Sequence, residues 1–211
     1  MIASPDLTDK LLQAYRFTAK DKQALANALA QGYLLAKVQS YNRAQSSVGS
    51  IVLIRHPWVV GPSDVRSAQS WATEQVEGIA ATYETLLRHA IENLPVERGI
   101  GDIIGGIKQV ISNIGDWISG FLPWKTQQIA DATWAEGDAD GTAEWIDDAS
   151  DPDGIDGSTS SVMVRIEPAS SSSDFCRLYA GEEYSLADFK GLAVQFPAHV
   201  GCIHSAVIIS R

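Results

Sequence analysis

The sequence predicts an α+β protein: a long helical region over residues 1–140, then a small β-rich module over residues 141–211 that a metal ion would staple. Three observations predict it. Apolar residues recur at helical spacing through most of the first 139 positions. Past residue 140, turn dipeptides and short β-branched runs replace that pattern. Both cysteines and two of the four histidines fall in the last 36 residues, where a core is hardest to build.

The elements follow in order. "SPDLTDKLLQAY" places Ser4 as an N-cap and Pro5 at the first helical position, with Leu7, Leu11, Leu12 and Tyr15 at helical spacing. The Ala-rich stretch that follows puts Leu25, Leu29, Tyr33 and Leu34 on one stripe. "SIVLIRHPWVVGP" breaks the pattern; its β-branched run and two prolines predict an extended connection with one short strand. The strongest helical signal comes next. Val65, Ala68, Ala72, Val76, Ile79, Ala80, Tyr83, Leu86, Leu87, Ala90, Ile91 and Leu94 trace a 3.6-residue period. Ser63 is the expected cap, and a helix over 64–94 would be about 45 Å long.

Beyond Pro95 a glycine-rich segment carries Ile100, Ile103, Ile104, Ile107, Ile111, Ile114 and Ile118 at helical spacing. Its intrinsic propensity is weak, so packing or oligomer contact would have to hold it. Trp117 and Trp124 beside it suit a protein–protein interface. "PWKTQQIADATWAEGDADG" predicts one more short helix from Pro123. Then come an acidic, Gly- and Ser-rich loop, a strand in "SVMVRIEP", a second loop, and a final strand in "HSAVIIS".

Composition limits the function classes. Apolar content is 45%, enough for a packed core. The formal charge of −10 argues against coating a nucleic-acid backbone, which needs a basic face, and no sequence-specific nucleic-acid partner is expected. No segment approaches the ~20 apolar residues of a spanning helix, and the polar start lacks a secretory leader pattern, so no membrane anchor is expected and synthesis in a cytosol is. There is no phosphate-binding glycine loop, dinucleotide fingerprint, His-Glu-x-x-His or nucleophile elbow. His56 and His89 have no partner pattern. The Asp-Gly pairs of Asp138–Gly141 and Asp151–Gly157 hint at calcium loops, but the twelfth-position glutamate is missing: from Asp147 it is Ser158, and from Asp151 it is Val162. Turn chemistry explains them more simply.

The candidate metal ligands are Cys176, His199, Cys202 and His204, spaced Cys-x22-His-x2-Cys-x-His. Two thiolates and two imidazoles make a complete tetrahedral zinc shell, and four protein ligands describe a structural rather than a catalytic site. Cys202 and His204 share one face of a strand, which suits joint ligation, and Pro197 favours a turn that would bring in His199. The alternatives are two buried thiols beside a surface histidine pair, a Cys176–Cys202 disulfide, or a zinc-dependent hydrolase or toxin-like enzyme in which His199, Cys202 and His204 hold a three-ligand catalytic zinc with Glu182 or Glu183 as base.

The stretch "DFCRLYAGEEYSLADFKGLAVQFPAHVGCIH" resembles the C-terminal end of the Mu F-type minor head proteins of tailed bacteriophages. That family carries Cys-x2-Cys-x4-Gly, a short variable run, then Pro-x-His-x2-Cys-x-Cys. Cys176 and Gly181 match the second cysteine and the glycine, Tyr184 and Leu186 match a following aromatic and leucine, and Pro197, His199 and Cys202 match the closing segment. Ser173 stands where the family's first cysteine would fall, and His204 replaces its last, so four ligands are kept but not the same four. Upstream, Ile129, Ala130, Gly141 and Trp145 fit a weaker pattern, while Asp131, Ala132 and Thr133 depart from its Arg-Thr-Glu. The resemblance implies a non-enzymatic structural protein of the virion head, made in the host cytoplasm and incorporated in low copy number near the portal. It also implies portal or capsid proteins as partners, with homo-oligomerisation open, and a role in head morphogenesis and in DNA packaging or ejection. A metal-free adaptor in such an assembly is the remaining alternative.

Overall fold

A computed structural model of the chain describes residues 9–10, 12–13, 16–49, 51–92, 127–167, 178–192 and 206–211, without the side chains of residues 90–92. The fold is α+β: long helices first, then a small sheet module. Ser4, most of the first predicted stripe and the isoleucine-rich segment 100–118 lie outside the described residues.

Helix α1 spans Ala19–Val48. It begins at a capping box. The Thr18 hydroxyl accepts from the Asp21 N–H at 3.1 Å, and the Asp21 carboxylate accepts from the Thr18 N–H at 3.1 Å. Those hydrogen bonds from Thr18 hold the Asp21 carboxyl below its ordinary range. The buried face of α1 is Ala26, Leu29, Ala30, Tyr33, Ala36, Lys37, Ser40, Tyr41, Ala44 and Val48. Leu29 and Tyr33 of the predicted stripe are on it while Leu25 and Leu34 are half-buried, and alanines and a serine fill the face between, where another helix backbone lies close. Strand β1, Val52–Ile54, is the short strand expected after it.

Helix α2 spans Pro62–Glu92. It starts before the expected position because Gly61 is the cap and Pro62 occupies the first turn. The Asp64 carboxylate accepts from the Gly61 N–H at 2.8 Å, which leaves Ser63 inside the helix rather than capping it. Ala68, Ala72, Val76, Ile79, Ala80, Tyr83 and Leu87 are buried as the periodicity predicts, but Val65 and Leu86 are exposed.

Helix α3 covers 127–149 among the described residues. It runs straight through residue 140, where composition changes, and continues to residue 149 because Trp145, Ile146 and Ala149 are buried on its inner face. Strands β2 (Ile155–Gly157), β3 (Val162–Ile166), β4 (Glu183–Ser185) and β5 (Ala206–Ser210) follow, with the one-turn helix α4 (Leu186–Lys190) directly after β4. β1 pairs antiparallel with β2. β3 is central to a three-stranded antiparallel sheet of order β4-β3-β5, with Val164 opposite both Tyr184 and Ile208. β3 and β5 fulfil the two strands expected from sequence.

By contacts the chain divides into two units: residues 1–27 with 71–127, and residues 28–70 with 128–211. In the first, Phe17 meets Tyr83 edge-on at 5.2 Å and Lys22 pairs with Glu77 at 2.6 Å. In the second, one core joins the end of α1, β1, α3 and the inner faces of β3, β5 and α4; Val48, Val52, Trp145, Val164 and Ile166 have no exposed surface. Trp145 Nε1 donates to the Gln45 side chain at 3.0 Å, so the buried indole keeps its hydrogen bond.

Gly181 (φ +84°) turns the chain into β4, with its N–H donating to the Ile166 carbonyl at 2.7 Å. Nothing lies near a Cβ added there, so Gly181→Ala is expected to cost only the left-handed backbone penalty, about 1–2 kcal/mol, read by chemical denaturation.

Candidate functional site

Cys176, His199, Cys202 and His204 lie outside the described residues, so the zinc shell drawn from sequence has no geometry here. Among the described residues, no group of three or more His, Cys, Asp or Glu side chains gathers where a metal could sit. The elements beside the four candidates are described, and their arrangement bears on them. The turn at 178–181, which follows Cys176, docks on Ile166 through the Gly181 N–H. Ala206, two residues past His204, pairs with the same Ile166. The chain therefore enters the sheet at one end of β3 after both Cys176 and His204. Of the glutamates weighed as bases, Glu182 is exposed, and the Glu183 carboxylate accepts from Arg211. His56 is exposed, and so is His89 near the end of α2.

The stretch Asp138–Gly141, whose Asp-Gly pair hints at a calcium loop, is part of helix α3. Asp138 pairs with Arg43, Asp140 accepts from the Tyr33 hydroxyl, and Asp148 accepts from the Tyr41 hydroxyl at 2.5 Å and from the Trp58 N–H at 3.0 Å. Burial, reinforced by the Asp140 carboxylate, pushes the Tyr33 phenol far up; burial and then Asp148 do the same to Tyr41. Asp138 is buried; Oδ1 takes Arg43, while Oδ2 has no partner among the described residues. In the second hinted loop, Asp151 accepts from the Asp153 N–H at 3.1 Å and Asp156 pairs with Arg55, so these are turn and strand contacts.

The densest polar cluster was not anticipated. Lys37, with 8% of its side chain exposed, lies 2.8 Å from Asp64 and 2.9 Å from Glu144, and its Nζ stands 4.7 Å from the centre of the Trp58 ring. Burial pushes Lys37 down, but the hydrogen bonds to Asp64 and Glu144 outweigh it and hold the ammonium above its ordinary range. Burial likewise pushes Asp64 up, and the bonds from Lys37 and Gly61 outweigh that and hold it below the carboxylate range. One signal for this cluster was in the sequence: Lys37 falls four residues after Tyr33 and four before Tyr41, on the buried stripe of an apolar helix. The cluster ties α1, the start of α2 and α3 together, with the Lys37 ammonium shared between the Asp64 and Glu144 carboxylates.

Among the described residues no helix is long and apolar enough to cross a membrane. Compared with protein-family models, curated proteins and solved structures, the chain finds no match.

Proposed function

We propose that this chain is a structural minor head protein of a tailed phage, with a C-terminal module stapled by one zinc ion on Cys176, His199, Cys202 and His204. The reading rests on the Cys/His spacing and on one observation that supports it: positions picked by the resemblance are under tight physical constraint. Ile129, Trp145 and Leu186 are buried, Gly141 has no room for a Cβ, and Gly181 holds a positive φ. Ala130, which is exposed, carries no such constraint. The donor set also fits the metal, since two thiolates with two imidazoles are a zinc shell, and the chain enters the sheet at one end of β3 after both Cys176 and His204. A closed shell would act by cross-linking the segments that precede β4 and β5 in the chain. In the virion the partners would be portal or capsid proteins.

The metal is tested by elemental mass spectrometry of freshly reduced protein. One zinc per chain is expected, lost in Cys176→Ser and in Cys202→Ser. Metal-free protein would remove zinc from the reading. Zinc that survives Cys176→Ser would favour a three-ligand site and the hydrolase alternative. The assembly role is tested by size-exclusion chromatography with the portal protein of the same virion. Co-elution is expected, and separate elution from both portal and capsid proteins would sink the head-protein reading.

A further inference from the structure

We propose that Glu136 is a proton-operated latch on the α1–α3 seam, which tightens the two helices together when it takes up a proton and loosens them when it is ionised. This goes beyond the virion reading and stands without it. Three side-chain pairs join the helices at one constant spacing: Tyr33 donates to Asp140, Lys37 pairs with Glu144 at 2.9 Å, and Tyr41 donates to Asp148 at 2.5 Å. Each step is four residues on both helices, so α1 and α3 run parallel and in register, with a donor on α1 opposite a carboxylate on α3 at every rung. One step back along the same ladder the carboxylate is present as Glu136, but the α1 position is Leu29, which has no side-chain donor. The helices are still packed at this level: Leu29 and Thr133 are buried, and a Cβ added at Gly32 would lie 3.9 Å from Thr133 Cγ2.

Glu136 is half-buried and, among the described residues, has neither a hydrogen bond nor an ion pair. Burial, and then the Asp140 carboxylate four residues on, hold its carboxyl above the ordinary glutamate range. The titratable groups around it are Asp140 on its own helix and Tyr33 on α1, and Tyr33 also feels Asp64 from the start of α2. The cation of the ladder, Lys37, stands two rungs on and is held by Asp64 and Glu144. Ionised, Glu136 therefore adds a second negative charge beside the acceptor that Tyr33 uses. Protonated, it becomes a donor. Asp140 lies one helical turn away on the same face, and a carboxylate that takes the Tyr33 hydroxyl has lone pairs left for a second O–H. A Tyr33–Asp140–Glu136 chain then completes the rung from within α3, in place of the donor that Leu29 lacks. The folded-state value lies above the unfolded one, so the seam is weakened while Glu136 is ionised and is relieved as pH falls through the folded value. That window lies above the unfolded glutamate value, about pH 4.3, whereas Asp64 acts below about pH 4.

The test uses the full chain and three readouts. In a carboxyl-carbon NMR titration of the wild type, Glu136 is expected to titrate above the ordinary glutamate value of about 4.3. In Asp140→Asn, which keeps an oxygen for the Tyr33 hydroxyl but removes the neighbouring charge, its titration should move down. Glu136→Gln is neutral at every pH and keeps a donor, so its urea midpoint should exceed that of the wild type at pH 7, with the advantage gone by about pH 4. Hydrogen exchange locates the effect: corrected for intrinsic rates, the amides of residues 129–137 should be better protected in the wild type at pH 5 than at pH 7, and equally protected at both in Glu136→Gln. A Glu136 that titrates at or below the ordinary value would overturn the proposal, and this reading needs no variant to fold. So would indifference of Glu136 to Asp140→Asn, an advantage of Glu136→Gln that is the same at both ends of the pH range, or a pH-dependent protection that survives in Glu136→Gln.

Discussion

Gly137→Ala and Gly141→Ala are each expected to destabilise the protein by about 1–3 kcal/mol, although alanine is the better helix former by about 1 kcal/mol. The inversion comes from the α1–α3 crossing. A Cβ at Gly137 would run into the Tyr33 carbonyl oxygen and lie 2.9 Å from Ala36 Cβ; at Gly141 it would run into the Lys37 carbonyl oxygen and lie 2.8 Å from Ser40 Cβ. The two glycines sit one turn apart on α3 and face two carbonyls one turn apart on α1. The Ser40 and Thr142 hydroxyls close the same seam at 2.9 Å. A helix backbone cannot yield as a flexible side chain can, so relief requires the helices to part, which would stretch the Tyr33–Asp140, Arg43–Asp138 and Tyr41–Asp148 contacts together. Gly78→Ala in α2 is the internal control. Nothing lies within 4 Å of its Cβ position, so it should stabilise by about 0.5–1 kcal/mol. Urea denaturation of the three variants decides the matter; a neutral or stabilising Gly141→Ala would mean that the helices do not approach this closely.

Lys37→Met should cost more, about 3–5 kcal/mol, because it leaves the largely buried Asp64 carboxylate without its cation, while the part-exposed Glu144 loses the same partner. Its pH dependence separates lost charge from lost packing. Asp64 is held below the ordinary carboxylate range in the folded state. Its contribution is therefore fully present above the unfolded value, about pH 4, and is lost as pH falls through the depressed folded value. Wild-type stability should decline below about pH 4 for this reason. In Lys37→Met the cation that holds Asp64 down is gone, so the wild type alone loses that contribution on acidification and the gap between variant and wild type should narrow. A gap that is constant from pH 7 to pH 3 would assign the loss to packing against Trp58 alone.

The periodic elements were legible because their signals are local. The long stripe of α2 and the β-branched runs of β3 and β5 need only side-chain periodicity to be read, and each is where it was expected. Val65 and Leu86 fit the period yet are exposed, since periodicity marks a face without saying how much of it is covered. β2, β4 and α4 escaped the reading. They are short, from three to five residues, and exist by virtue of partners distant in sequence: β2 through β1, and β4 through β3. The acidic stretch Asp147–Asp148 read as loop because aspartate is a weak helix former. Trp145, Ile146 and Ala149 hold it helical through burial, and Asp148 has a buried tyrosine to bond.

The same division applies to the candidate sites. A Cys/His metal pattern is a matter of residue type and spacing, so Cys176, His199, Cys202 and His204 could be singled out from the chain alone. The Lys37 cluster and the α1–α3 ladder could not, because their members come from two or three separate segments. The sequence by itself determined the fold class, the acidic charge and the positions of α1 and α2, all of which depend on composition and on neighbours within a few turns, whereas α3 runs past the boundary expected near residue 140. Tertiary structure alone decided that the glycines of "GDADG" are a helix–helix contact rather than a loop, and that the aspartates beside them bind tyrosine and arginine rather than a cation. The physical reason is that a glycine's role depends on what lies where its side chain would be, and at Gly137 and Gly141 that is the backbone of a helix about a hundred residues earlier in the chain.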